Sequence, residues 1–283
     1  MRTLDVSADQ VWRLVDGHAT YWAVAAALDA GVIDALADGT SGALPVDVHR
    51  LRPLLAVLAD AGIVDDDGRL TPLGGLVRAM RGLVAGSPGR HENWLALGDV
   101  LRGGEPPAPV DDDAAFRAAL ALATREIQRE LAGRTAERLP VPRSAAADGP
   151  SAAAWLEGLG ITAGEPPHDV VVLAHACREL SPGDAAALVA DAAARTAPGG
   201  RVVVADYFTD AADPDRARRS NVLGLTMVAN TRAGTAYAAA EVARWLTAAG
   251  LVDVELVDGR PAPHDVLIAR KPTEHEGSAH ARG

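Results

Sequence analysis

The sequence predicts a mainly α domain followed by an α/β domain, and three observations carry that prediction. Helical periodicity runs through residues 8–38. A helix–strand–turn–strand pattern follows at 53–71. Beyond residue 140, apolar runs alternate with helical segments and end in a hairpin pattern. With 48% apolar residues, a chain of 283 residues has ample material for more than one core.

In the first part, Val11, Leu14 and Val15 repeat at helical spacing, and Trp22 to Leu28 and Val32 to Leu36 do so on either side of Gly31. In RPLLAVLADAGIVDDDGRLTPLG, a helix is expected from Pro53 to Ala61. Short strands should flank the DDG turn at Ile63–Val64 and Arg69–Thr71, and Pro72 should open another helix. That order is a winged helix. Its candidate recognition face offers His49, Arg50 and Arg52, but its wing carries Asp65, Asp66 and Asp67, and the net charge is -11. An acidic wing is repelled by a phosphate backbone, so no nucleic-acid partner is expected.

GGEPPAPVDDD, Gly103 to Asp113, breaks the chain before an alanine-rich helix expected from Ala114 to Leu139. Past PVPRS, the candidate strands are SAAAD (to Asp148), VVVLAH (Val170 to His175) and RVVVADYF (Arg201 to Phe208). Helices are expected at Pro182–Thr196 and Glu241–Ala249, and VDVELVDG with HDVLIARK reads as an antiparallel edge hairpin. The expected organisation is a winged-helix domain at 1–85, a helical connection at 86–139, an α/β domain at 140–272 and a disordered tail at 273–283. The single cysteine, Cys177, and the absence of a long apolar run or a secretory n- and h-region suggest a reduced, cytoplasmic protein with no membrane segment.

YWAVAAALDAGVIDALADG with LLAVLADAGIVDDDGRLTPLG resembles the dimerising winged-helix domain of the small-molecule O-methyltransferases of the acetylserotonin and caffeic-acid type. DVVVLAHACRELSPGDAAALVADAAARTAPGGRVVVADYF with TMVANTRAGTAYAAAEVARWLTAAGLVDVELV resembles the second half of their Rossmann-like catalytic domain. The resemblance implies a small-molecule substrate from secondary-metabolite or antibiotic biosynthesis, and a dimer.

The family binds S-adenosylmethionine through a D-x-G-x-G-x-G turn and a carboxylate ending the next strand. Here the turn is DGPS, with Gly149 its one glycine, and only residues 149–168, 20 in all, separate Asp148 from Asp169. One crossover fits that length; a full set needs on the order of 70 residues. The expectation is therefore a degenerate member: a truncated Rossmann-like domain with strands two and three missing, and no cofactor. It would catalyse a non-methylating elimination or cyclisation on an anionic intermediate, or serve as a scaffold subunit in a heteromer. An S-adenosylmethionine-dependent O-methyltransferase is the remaining alternative.

Where many members carry a catalytic histidine, alignment on Ser181 and Pro182 places Arg178, which cannot act as a base but can grip an anion. The nearest bases are His175, at the tip of its strand, and Glu179, and these are the expected catalytic residues. Arg178, Asp206 and Tyr207 on the same rim are expected to bind substrate. Asn221, Met227, Asn230 and Arg232 join them, on the helix and loop that line the family's substrate cavity. No metal is expected.

Overall fold

The computed structural model describes residues 8–40, 48–65, 67–79, 81, 91–260 and 262–273. The chain divides into two compact units, Met1–His91 and Glu92–Gly283. The tail expected from residue 273 lies, beyond Thr273, outside the described residues, as do the side chains of Trp12, His49, Arg50 and Asp66.

In the first unit, α1 spans Ala8–Asp29 and α2 Val32–Ala37, with Gly31 between them at φ 73°, a left-handed turn that glycine adopts without strain. α3 spans Val48–Asp60. It begins five residues before Pro53 rather than at it and carries that proline inside the helix. The wing is shorter than expected: Val64 and Leu70 form one antiparallel bridge, with Asp65 Oδ1 accepting from the N–H groups of Asp67 and Arg69. α4, Pro72–Ala79, starts at its proline. Ala27, Leu28, Val32, Ile33, Leu58, Ile63 and Val64 bury the core of this unit.

The second unit opens with α5 (His91–Leu95) and α6 (Leu97–Val100), a 3-10 turn at Val110–Asp112, and α7 (Ala114–Ala136), capped by Asp113, whose carboxylate accepts from the Phe116 N–H at 2.8 Å. β1 (Ala145–Asp148), α8 (Ala152–Leu159), β2 (His168–Ala174), a 3-10 turn (Cys177–Glu179) and α9 (Pro182–Arg195) follow. The chain continues through β3 (Thr196–Asp206), α10 (Pro214–Asn230), α11 (Ala239–Ala248) and the strands β4 (Val252–Val257) and β5 (Asp265–Arg270). Ser181–Pro182 and Asp213–Pro214 start α9 and α10 in the same way, a capping oxygen followed by proline at the first helical position.

The sheet order is β1-β2-β3-β5-β4, with β1, β2 and β3 parallel and β5 antiparallel to both neighbours. Alternate residues of β2 and β3 point to opposite faces. Val171, Leu173, Val202 and Val204 meet Val189 of α9 and Leu246 of α11, whereas Val170, Val172 and Val203 meet Leu131 of α7 and Trp155 of α8. Helices therefore cover both faces, as a parallel sheet requires.

The expectation of a truncated domain with strands two and three missing is corrected by this sheet. Its hydrogen-bonded order is unbroken, and β1 pairs with β2 along its whole length, from Ala145 beside Val170 to Asp148 beside Leu173. The length count was sound for one crossover, and α8 supplies it. What it could not show is that a single crossover brings β1 directly against β2 and completes the sheet.

That crossover depends on a close helix contact. A Cβ on Gly158 would lie 2.3 Å from the Arg129 carbonyl oxygen and 2.6 Å from the Ala132 Cβ. Gly158→Ala should therefore destabilise the protein by about 1–3 kcal/mol in urea unfolding, even though alanine favours an isolated helix by about 1 kcal/mol. A more stable variant would contradict the packing.

Candidate active site

Three parallel strands deliver Asp148, His175 and Asp206 to one edge of the sheet, where open α/β sheets bind ligands. Because β5 runs the other way, its start brings His264 and Asp265 to that same edge, with Asp265 beside Asp206.

His175 stands one residue beyond β2. Its N–H donates to the Ala205 carbonyl at 2.9 Å, and its φ is 60°, a conformation that costs a non-glycine residue on the order of 1 kcal/mol. Its Nδ1 lies 3.0 Å from Ser151 Oγ, and its Nε2 is buried with no partner among the described residues. The ring meets His264 edge-on at 4.7 Å and stacks on Tyr207 at 5.7 Å, while Tyr207 also contacts His264 at 5.2 Å. The Arg178 guanidinium lies 5.5 Å from the Tyr207 ring centre.

Burial, then the Arg178 charge and then His264, hold His175 well below the ordinary histidine range; burial and the charges of Arg178 and Arg216 bring His264 down to about 3. Both imidazoles are neutral at neutral pH. Asp206 is pushed up by burial, and Arg178 opposes that shift. Asp206 Oδ1 accepts from the Tyr207 N–H at 2.9 Å and sits 3.7 Å from Arg178 Nη1, a charge contact beyond hydrogen-bond reach.

The structure thus brings His175, Arg178, Asp206 and Tyr207 together. Glu179 turns away, pairing with Arg117 at 3.1 Å, and burial raises its pKa. Asn221 is exposed on α10, and Met227 is half-buried near Gly234. Asn230 is buried but accepts from Asn93 Nδ2 at 3.0 Å and donates to the Thr226 carbonyl at 2.8 Å. Arg232 is fixed to Asp112 through its guanidinium, and its backbone N–H donates to Asp111 Oδ2 at 3.0 Å. Ser151 and His264 escaped the sequence reading. Ser151 carried a signal, as the residue closing the DGPS turn. His264 carried one only if the last strand was recognised as returning to the rim.

Beside the rim, where α10 begins against the β4–β5 hairpin, a cleft of about 480 Å³ is lined by Asp213, Arg216, Leu256, Asp258, Arg260 and Asp265. Arg216 is tied there to Asp258 at 2.9 Å and Asp265 at 2.8 Å. None of His175, Arg178 or Tyr207 lines it.

No family model matches the chain, and no curated protein matches it. Solved structures do match its fold. Human N-acetylserotonin methyltransferase in complex with S-adenosylmethionine is similar at TM-score 0.73 and 19% identity, over 96% of this chain and 100% of that one. An O-methyltransferase family protein from Burkholderia thailandensis gives 0.74 and 18%, over 95% and 99%. CalO1, a methyltransferase of calicheamicin biosynthesis with S-adenosylhomocysteine bound, gives 0.72 and 22%, over 96% and 100%. The chain has the fold of these methyltransferases.

The likeness corrects four linked expectations: a degenerate member, a cofactor-free protein, an enzyme independent of S-adenosylmethionine, and lyase or cyclase chemistry. They followed from taking the single-glycine DGPS turn and the short β1–β2 connection for a lost site, and the lyase or cyclase chemistry from the residues left at the strand tips. Solved proteins that hold S-adenosylmethionine or its demethylated product share this fold over nearly their full length, so the short connection gives no ground for that inference. Among the described residues, no cluster of histidine, cysteine and carboxylate groups could hold a metal, and no helix is long and apolar enough to cross a membrane.

The neutral histidines set an acid limit on stability. In the unfolded chain each titrates near about 6.5, so between that value and its depressed folded value unfolding takes up a proton. This stability is complete above the unfolded pKa and is lost as pH falls toward the folded one. His264 alone should remove about 2 kcal/mol between about pH 7 and pH 5, His175 acts in the same direction, and His264→Asn should make the slope shallower. Equal slopes for the variant and the parent would contradict the buried neutral His264.

Proposed function

We propose that the protein is an S-adenosylmethionine-dependent methyltransferase acting on a hydroxyl of a small molecule in natural-product biosynthesis. The single observation that carries this reading is the likeness in fold, over nearly the whole chain, to O-methyltransferases solved with that cofactor or its product.

The β1 tip offers a fit for the amino-acid end of the cofactor. Asp148 is half-exposed and anchored to Arg195 through one carboxylate oxygen, leaving the other for an ammonium group. At Gly149 the φ is 103°, and a Cβ there would lie 2.3 Å from the Ala174 carbonyl oxygen. Only glycine lets this turn lie so close to the tip of β2, which keeps Ser151 within 3.0 Å of His175 Nδ1. When bound, the cofactor supplies an electrophilic methyl group.

His175 supplies the base. In the tautomer whose Nδ1–H donates to Ser151 Oγ, its unpartnered Nε2 carries the lone pair and can take the proton of an acceptor hydroxyl. Burial keeps that lone pair free of competing protons at neutral pH. The imidazole is itself positioned before substrate arrives, by Ser151 and by the bond from its backbone N–H to the Ala205 carbonyl, so orienting it costs little during the reaction.

Calorimetry with S-adenosylhomocysteine should give one site per chain, and Asp148→Asn should weaken it about tenfold, the loss of one charge-assisted hydrogen bond of about 1.4 kcal/mol. Absence of binding at millimolar ligand would overturn the reading.

A further inference from the structure

The rim holds more unsatisfied donors than proton abstraction needs. Besides His175 Nε2, the buried nitrogens without a hydrogen-bond partner among the described residues are Arg178 Nε and Nη1, both ring nitrogens of His264, and the Nε atoms of Arg195 and Arg216. The last two belong to guanidinium groups already paired with carboxylates, Asp148 and Asp191 for Arg195 and Asp258 and Asp265 for Arg216. Arg178 and His264 are 8% and 1% exposed. Two guanidinium nitrogens and a buried imidazole left without partners are costly, the charged group more so than the neutral one. Folded proteins rarely leave such groups unmatched.

The nearest protein acceptor does not meet this need. Asp206 stands 3.7 Å from Nη1, outside hydrogen-bond reach, and one of its oxygens already takes the Tyr207 N–H. The Arg178 backbone is anchored, its carbonyl accepting the Thr235 N–H at 2.9 Å and lying against Gly234, and its side chain is nine-tenths buried. The missing partner is therefore an acceptor brought by a ligand. One positive charge and one neutral N–H donor suit a planar monoanion, while nearby Asp206 disfavours a more highly charged one. Tyr207, half-buried and in contact with His175, His264 and Arg178, is the side chain that must move to admit it.

We propose that Arg178 and His264 form a carboxylate grip, so that the acceptor is a hydroxy acid whose hydroxyl and carboxylate lie within a few bonds of each other. The 4.7 Å between the His175 and His264 rings sets that span: the hydroxyl faces His175 while the carboxylate is held next door. The grip itself stands on the unmatched nitrogens alone. Calling its ligand the methyl acceptor rests on the function proposed above.

Salicylate, which carries both groups on adjacent ring carbons, is the probe, and salicylamide is its uncharged counterpart. Calorimetry on the full chain, without cofactor and again with S-adenosylhomocysteine, should show salicylate binding at one site and salicylamide at least tenfold more weakly. Arg178→Gln should reduce salicylate to the amide's affinity, and Arg178→Lys should restore part of it. Should the variants melt early, the wild-type protein still decides the matter: salicylate must shift the side-chain NMR signals of both His175 and His264. Equal affinity for acid and amide, unchanged binding in Arg178→Gln, or unmoved histidine signals would overturn the grip and leave ordered water as the missing partner. Salicylate binding without S-adenosylhomocysteine binding would keep the grip and remove the methyl-donor reading; the reverse would remove only the grip.

Discussion

The parallel register that sets Ala174 beside Ala205 is the constraint on which the site depends. It extends one residue further, through the His175 N–H and the Ala205 carbonyl, and only then does the chain leave the sheet, in a left-handed conformation. A slip of one residue would exchange the two faces of β2 and carry the valines of one core into the other. It would also move His175 off the edge where Asp148, Asp206 and His264 meet. Buried apolar packing on both faces thus enforces the position of a polar residue that contributes nothing to that packing.

The chemistry at the rim follows from low solvent access. Burial is the leading cause of the depressed histidines and of the raised Asp206, and the Arg178 charge pushes all three toward lower pKa. For the histidines the two effects add, so both remain neutral. For Asp206 they oppose, so the carboxylate is disfavoured but partly rescued. Such a mixture of a fixed cation, neutral imidazoles and a strained backbone is costly to fold, a cost characteristic of functional sites.

Much of the fold was legible in the sequence because the signals were local. VVVLAH and RVVVADYF are apolar without alternation, the mark of strands covered on both faces, and Ser181–Pro182 announced its helix. The same locality made His175, Arg178, Asp206 and Tyr207 legible, since each stands at or just after a recognisable strand. The rest was set at a distance. His264 joins the rim only because β5 returns antiparallel, and the ion pairs that fix Arg232 come from acids some 120 positions earlier. Counting residues between Asp148 and Asp169 predicted one crossover correctly. It could not reveal that one crossover suffices for a closed hydrogen-bonded order, and the inference from a short connection to a lost cofactor failed there.

The central claim is that His175 is held neutral at the strand tip with its Nε2 presented to a ligand. Nitrogen NMR of the labelled imidazole, followed as pH is lowered from about 7.5 to 5, tests it most directly, because ring nitrogens report both charge and tautomer. The account predicts a ring protonated on Nδ1 toward Ser151 that stays neutral through the ordinary histidine range, with no titration step there. A titration midpoint near 6.5, or a proton resident on Nε2, would contradict it.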